Sequence, residues 1–393
     1  MILCCALLCA SAPLPAAQAA EESAAIGGSA AEELKKHIEN QLAGLDTALF
    51  DEFLASLDES SAALLANKSF GEIIIEITEG GAADIEGFIG SAWAYLLRTM
   101  LGFVPLLSGI VVVALLSGVL SGLKSKFLGK STGELINFVC YLAIVLIVLS
   151  MLLPAMQYVE RTVYTMRALM NVLFPIILTL MTASGGVMSG KLFQPLSAVL
   201  AGGVCEVVTR VVLPLFIVVI VLSVISNLSD AVSLKKLIDF FKGAALWING
   251  ITFTVFFGFL SVQGVTAASY DGISVRAAKY AIGNSVPIIG SYLREGFDLI
   301  LGSVVLLKNS VGVLGMLLIL SIMVFPLLQL VLISLGLKLA AGITEPMAGE
   351  KIPSFLAAAG GSVNLLIAVL LGVGFMFFIT LMLFIASSNA VLA

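Results

Sequence analysis

The chain has 393 residues, of which 60% are hydrophobic and 11% are charged, and its formal net charge is −5. Its mean hydropathy of +1.13 excludes a soluble domain, because no globular core can hide that much apolar surface. The apolar runs are continuous rather than alternating. We therefore expect an all-α, polytopic helical membrane protein and not a membrane β-barrel.

Charge is unevenly distributed along the chain. Residues 21–97 hold fifteen Asp and Glu against three Lys, a balance of −12, whereas the chain from Arg98 onward carries +7. An acidic head on a mildly basic body argues against binding of nucleic acid or anionic lipid through that head. Its helices could simply cover one another, or they could form an acidic docking surface, and the sequence leaves both alternatives open.

The N-terminal segment, residues 1–20, has the features of a secretory signal peptide, with AQA at 17–19 as a small-x-small cleavage site. A basic n-region is missing, so a retained anchor is the alternative. Cleavage would place residues 21–97 outside the cytoplasm. Apolar residues four apart predict that this acidic region is a small helical domain: Leu45, Leu49, Phe53 and Leu57.

The remaining chain, residues 98–393, reads as a polytopic membrane domain. Lysines follow the first predicted span and precede the Ala244–Val265 span, which indicates cytoplasmic loops after an outside N-terminus. These lysines are Lys124, Lys126, Lys130, Lys235, Lys236 and Lys242. The number of spans is six if two short proline-containing segments re-enter the membrane, and eight if both cross it.

An internal repeat is indicated when the chain is shifted by 112 residues. The shift aligns Pro175 with Pro287 and Pro214 with Pro326, and it also aligns several glycines. Prolines and glycines set backbone geometry, so we predict duplicated units at 136–228 and 248–340. These four prolines are candidate helix breaks. The segments that begin at Asn171 and Asn284 are either re-entrant or ordinary proline-kinked spans.

The most polar stretch of the membrane domain is residues 269–298. We consider it a candidate polar pathway or partner-binding site, and the alternative is a set of charges that only neutralise one another. Glu206 and Arg210 are four residues apart on one helix face. They are either one wall of a polar pathway or a local pair that neutralises itself. The candidate residues in the stretch are Tyr270, Asp271, Arg276, Lys279, Asn284, Arg294, Glu295 and Asp298.

Catalytic and cofactor motifs are missing from the sequence. The single histidine, His37, lies in the acidic N-terminal region, and no Walker A or GxGxxG loop is present. The five cysteines have neither metal-site nor disulfide spacing. We therefore expect no enzyme activity, no metal and no cofactor.

The run SYDGISVRAAKYAIGNSVPIIG at 269–290 resembles the stage III sporulation protein AE family. The resemblance extends over the chain after the signal segment. It implies a multi-pass protein in the mother-cell membrane that engulfs the forespore, and membership in a channel, or feeding tube, that supports late forespore gene expression. The implied partners are the other stage III sporulation A proteins, a forespore membrane protein and membrane lipid; a homo-oligomer is an open alternative.

Three functional hypotheses follow. The first is a non-enzymatic membrane subunit of the mother cell–forespore channel, in which residues 269–298 line a pathway or hold a partner. The second is an independent permease for a small solute, which the repeat and the predicted broken helices would suit. The third is a structural platform on which the other channel subunits assemble.

Overall fold

The computed structural model describes residues 38, 48–57, 69–78, 85–127, 130–186, 190–191, 193–195, 199–228, 234–285, 290–347 and 349–389. Within these residues the chain forms helices and turns, and no strand. For 48, 85–86, 121–127, 130–134, 199–201, 290–295, 387–389 and most of 262–285, the description covers the backbone alone. The predicted signal segment, residues 1–20, lies outside the described residues.

Two short helices precede a bundle of long ones. In chain order the helices are α1 (Ala48–Ala55), α2 (Phe70–Thr78), α3 (Ile85–Phe127), α4 (Lys130–Ala183), α5 (Cys205–Val207), α6 (Leu213–Leu228), α7 (Lys235–Ser285), α8 (Gly290–Thr344) and α9 (Lys351–Asn389). Two π-helical turns, Val199–Val204 and Val208–Val212, flank α5. Because α3 begins at Ile85 and runs unbroken to Phe127, its first turns continue directly into the first long apolar helix.

Six helices of the described chain are long and apolar enough to cross a membrane. They lie at Gly87–Leu120, Leu135–Ala183, Gly202–Leu228, Lys235–Ser261, Gly296–Thr344 and Lys351–Ala386. The chain is therefore a polytopic helical membrane protein, as the sequence predicts.

Contacts between helices define two ends of the bundle. The Tyr95 hydroxyl on α3 donates to Oε1 of Gln329 on α8 at 3.3 Å. A Cβ on Gly336 of α8 would lie 3.1 Å from Leu107 Cδ1, so α3 and α8 run in the same direction. We call the end where α3 and α8 finish and α4, α7 and α9 start the near end. The opposite end, where α4, α7 and α9 finish, is the far end.

The short N-terminal helices pack at the far end. The rings of Phe50 on α1 and Phe70 on α2 lie 4.5 Å apart, and both side chains are fully buried. The hydroxyl oxygens of Thr78 on α2 and Ser310 on α8 are 3.1 Å apart. The acidic N-terminal region is thus joined to the membrane bundle by a packed contact with the far half of α8.

Prolines do not break α4 or α8, and this corrects the prediction. Helix α4 passes through Pro154 and Pro175 as one element of 54 residues, so the segment from Asn171 is neither re-entrant nor separate. Helix α8 likewise continues through Pro326. Packing against neighbouring helices offsets the lost hydrogen bond at each proline. Pro287 lies outside the described residues, so its predicted break stays a prediction.

A change of surface chemistry divides α4. The helix is about 81 Å long at 1.5 Å per residue, far more than the ~30 Å hydrocarbon core. Its exposed large side chains between 135 and 153 are Leu135, Phe138, Val139, Leu142, Leu146 and Leu153. From 157 to 183 the exposed residues are Gln157, Arg161, Tyr164, Ala168, Asn171, Pro175, Thr179, Thr182 and Ala183. We call these stretches the near half and the far half of α4.

Candidate functional site

The polar stretch 269–298 lies at the far end, past the apolar part of α7. Helix α7 runs on to Ser285, and its turns from Ser269 onward carry the polar part of the sequence. Helix α8 then starts at Gly290 and returns antiparallel to α7. The polar stretch therefore belongs to the end of α7 and the start of α8, which both lie at the far end.

The individual residues of this stretch are placed by their backbone. Tyr270, Asp271, Arg276, Lys279 and Asn284 lie on the extension of α7, and Arg294, Glu295 and Asp298 lie in the first turns of α8. Asp298 is half-buried. The side chains of the other seven lie outside the described part of the structure, so their role as a pathway or partner site stays a prediction.

A second candidate, the pair Glu206 and Arg210, forms a cluster of three charges. Arg210 and Glu206 make the expected ion pair one helical turn apart. Arg167 on α4 places its Nη1 3.9 Å from Glu206 Oε1, so the carboxylate bridges two helices. All three side chains are partly exposed, with 79% for Arg210. The cluster carries a net positive charge and faces outward. It is therefore better suited to contact an anionic neighbour than to neutralise itself.

Pro214 shapes the backbone beneath this cluster. Proline has no N–H, and in a regular α-helix its ring would crowd the carbonyl of Arg210 four residues earlier. The π-turn Val208–Val212 widens the helix at this point, and the Leu213 N–H bonds to the Val208 carbonyl five residues back. The predicted break at Pro214 is therefore a local widening, after which α6 continues to Leu228.

An open groove lies beside the far half of α4. Its volume is about 510 Å³. One wall is the exposed face of α4 and the other consists of helical residues after the turn that ends α4. The lining residues are Asn171, Phe174, Pro175, Leu178, Thr179, Thr182, Gly190, Lys191 and Gln194. The groove combines an apolar floor with polar side chains and one cation.

A buried lysine ties the far ends of α8 and α9 together. Lys308 is 1% exposed, and its Nζ donates to the carbonyls of Phe384 and Ile385 at 2.9 and 3.0 Å. The carbonyls at a helix C-terminus carry partial negative charge, so they stabilise the ammonium. Within the described residues no group of three or more His, Cys, Asp or Glu could hold a metal ion.

Sequence reasoning missed the groove and Lys308. Lys308 could have been found as a lone charge inside a long apolar run. The groove had a weaker signal: Asn171, Pro175, Thr179 and Thr182 recur at helical spacing in a segment that the sequence leaves open between a re-entrant element and a proline-kinked span.

The fold defines an all-helical, multi-pass membrane protein with six candidate spans among the described residues. Residues 68–388 match the family described as Stage III sporulation protein AE. The chain is also 26% identical over 359 residues to Stage III sporulation protein AE of Bacillus subtilis (strain 168), covering 91% of this chain and 90% of that protein. No solved structure matches it. The chain belongs to the stage III sporulation protein AE family and is a sporulation protein.

Proposed function

We propose that the chain is a non-enzymatic membrane subunit of a channel that links mother cell and forespore during sporulation. Family membership over 68–388 supports the sporulation role. The observation that supports the channel role is the far half of α4, whose exposed residues include Gln157, Arg161, Asn171 and Thr179 and no Leu, Ile, Val, Met or Phe. A subunit that joins two cells across an intermembrane space needs a polar exposed surface of this kind.

The distribution of lysines supports an orientation for the protein. Short loops and helix ends at the near end are rich in lysine, which by the positive-inside rule favours the mother-cell cytoplasm. These lysines are Lys124, Lys126, Lys130, Lys235, Lys236 and Lys351. The far end, with the acidic N-terminal region, then faces the intermembrane space. There it would meet the other stage III sporulation A proteins and a forespore membrane protein.

Residues 269–298 are the test of this proposal, because the extension of α7 and α8 carries them toward the proposed partner side. In sporulating cells of the source organism we expect Asp271→Asn and Arg276→Gln to lower a late forespore-specific fluorescent reporter at least several-fold, with normal amounts of the protein in the membrane. Lys236→Gln, an exposed charge at the near end of the same helix, is the matched control. A normal reporter signal in both far-end variants would refute a role for this stretch.

Co-purification of the other channel subunits separates the channel proposal from the platform alternative. If residues 269–298 form a pathway, the variants keep their partners and lose the reporter signal. If the protein is a platform, the variants lose both.

The independent permease is the second candidate, and the groove beside α4 favours it because small solutes bind in such concave sites. Uptake of a solute by vesicles that contain this protein alone would support the permease against the channel subunit.

A further inference from the structure

The groove beside the far half of α4 has two walls that are fixed relative to each other. Phe174 on one wall and Phe193 next to the other both pack edge-on against Phe384 of α9, at 5.2 and 4.9 Å. At the top of the groove, a Cβ on Gly190 would lie 2.9 Å from Thr182 Cγ2, so only glycine allows this close approach. The groove is therefore held open by its own core packing.

The α4 wall offers hydrogen-bond acceptors. The Thr179 hydroxyl donates to the Pro175 carbonyl and the Thr182 hydroxyl to the Thr179 carbonyl, each at 2.8 Å. Each hydroxyl already donates its one hydrogen bond within the helix, so toward a ligand it can act only as an acceptor. Pro175 has no N–H, and therefore the Asn171 carbonyl, four residues earlier, has lost its helical donor. Both Asn171 and Pro175 are among the residues that line the groove.

The opposite wall contributes a cation. Lys191 is exposed and lines the groove, and no acidic side chain forms an ion pair with it among the residues that the structure describes. Phe174 and Leu178 provide an apolar floor between the two walls. A complementary ligand has N–H donors along its length, a carboxylate at one end and small apolar groups between them.

We propose that this groove binds a short free peptide, with its carboxylate at Lys191 and its ammonium and amide N–H groups along the acceptors of α4. The α4 wall from Asn171 to Thr182 is about 16 Å long at 1.5 Å rise per residue. An extended peptide covers about 3.3–3.6 Å per residue, so about five residues fill the wall and a tripeptide covers about two thirds of it. The volume of about 510 Å³ lies within the range for small-ligand sites.

The test uses the full-length protein in lipid nanodiscs and calorimetric titration with trialanine. We expect saturable binding that weakens about tenfold with trialanine amide and also with N-acetyl-trialanine, since each modification removes one charge that the groove would recognise. Lys191→Met should weaken trialanine binding to the level of the amide and abolish the difference between the two. If trialanine does not bind, or if Lys191→Met leaves the effect of amidation intact, the proposal fails.

Pro175→Ala is the sharper variant, because alanine restores an N–H that the Asn171 carbonyl can accept. We expect trialanine affinity to fall about fivefold while the melting temperature stays the same or rises, since alanine favours the helix. Pro154→Ala in the same helix, outside the groove, is the matched control and should leave affinity unchanged. Unchanged affinity in Pro175→Ala, or equal binding of N-acetyl-trialanine by the parent protein, would overturn the placement of the peptide ammonium.

This inference does not rest on the channel proposal, because binding is measured on the purified protein. Peptide binding in a protein whose far-end variants sporulate normally would sustain the groove and refute the channel pathway. Loss of the forespore reporter signal in Asp271→Asn, together with no peptide binding by the purified protein, would support the channel pathway and refute the groove as a peptide site.

Discussion

The near and far halves of α4 belong to one continuous helix and bury similar side chains, yet they expose different ones. On the buried side, Ile144 and Val148 in the near half correspond to Val163, Met170 and Ile177 in the far half, and all five are fully buried. On the exposed side, the near half shows leucine, valine and phenylalanine. No Leu, Ile, Val, Met or Phe of the far half, 157–183, is exposed.

We infer from this difference that the membrane boundary on this face of the bundle lies between the two halves. Apolar side chains facing outward are stable in lipid, and polar ones facing outward are stable in water. The far half is therefore organised like a helical bundle in water, with an apolar core and a polar surface. Apolar length alone overestimates the membrane span, because a buried core is as hydrophobic as a lipid-facing surface.

The largest effect is expected inside the core of the far half, where Lys308 interacts with two carbonyls of α9. Lys308→Glu replaces the ammonium with an acid against the same carbonyls, so attraction becomes repulsion in a buried site. We expect a loss of about 3–5 kcal/mol in unfolding free energy. The measurement is the unfolding of the purified protein in detergent, monitored by far-UV circular dichroism.

Lys338→Glu provides the control for this prediction. It makes the same chemical change in the same helix, but Lys338 is exposed at the near end. We expect the loss to stay below about 1 kcal/mol, as for other exposed charges. Equal losses in the two variants would mean that the carbonyl contacts of Lys308 contribute little to stability.

The membrane boundary itself is tested by placing one lysine on each half of α4. Leu146 is 69% exposed in the near half, and Ala168 is exposed in the far half. A lysine that faces lipid near the centre of a span costs about 2.5–3.5 kcal/mol on insertion scales, and one that faces water costs almost nothing. Leu146→Lys should therefore reduce the amount of inserted protein severalfold, and Ala168→Lys should not. Membrane fractionation with quantitative blotting measures this, and equal loss from both variants would place Ala168 in lipid as well.

The sequence was sufficient to predict the architecture, because long apolar runs permit almost only helices that cross a membrane. It did not predict the continuity of α4 and α8. Pro175 looks like a helix break when only local propensity is considered, since it removes one hydrogen bond and adds a clash. Tertiary packing decides otherwise: Leu173 and Ile177 on either side of Pro175 are fully buried and hold the helix together.

For the candidate site, the sequence identified the charged pair at Glu206 and Arg210, but not its third member. Arg167 is 39 residues away from Glu206 in the chain, so only the packing of α4 against the π-helical region brings them together. The polar stretch 269–298 was recognised by composition, whereas the groove beside α4 depends on the turn after Ala183. Long-range contacts of this kind leave no periodic pattern in the sequence.

The smallest expected effect comes from the packing of three helices in the far half. A Cβ on Gly315 of α8 would lie 2.7 Å from Leu173 Cδ1 on α4 and 2.8 Å from Leu381 Cδ1 on α9. Gly315→Leu should therefore cost about 1–3 kcal/mol, because overpacking forces neighbouring side chains to move. Gly302→Leu is the control in the same helix, where a Cβ meets nothing within 4 Å. If the far half has the tight core of a water-exposed bundle, thermal unfolding will distinguish the two variants; equal melting temperatures would indicate a loosely packed region.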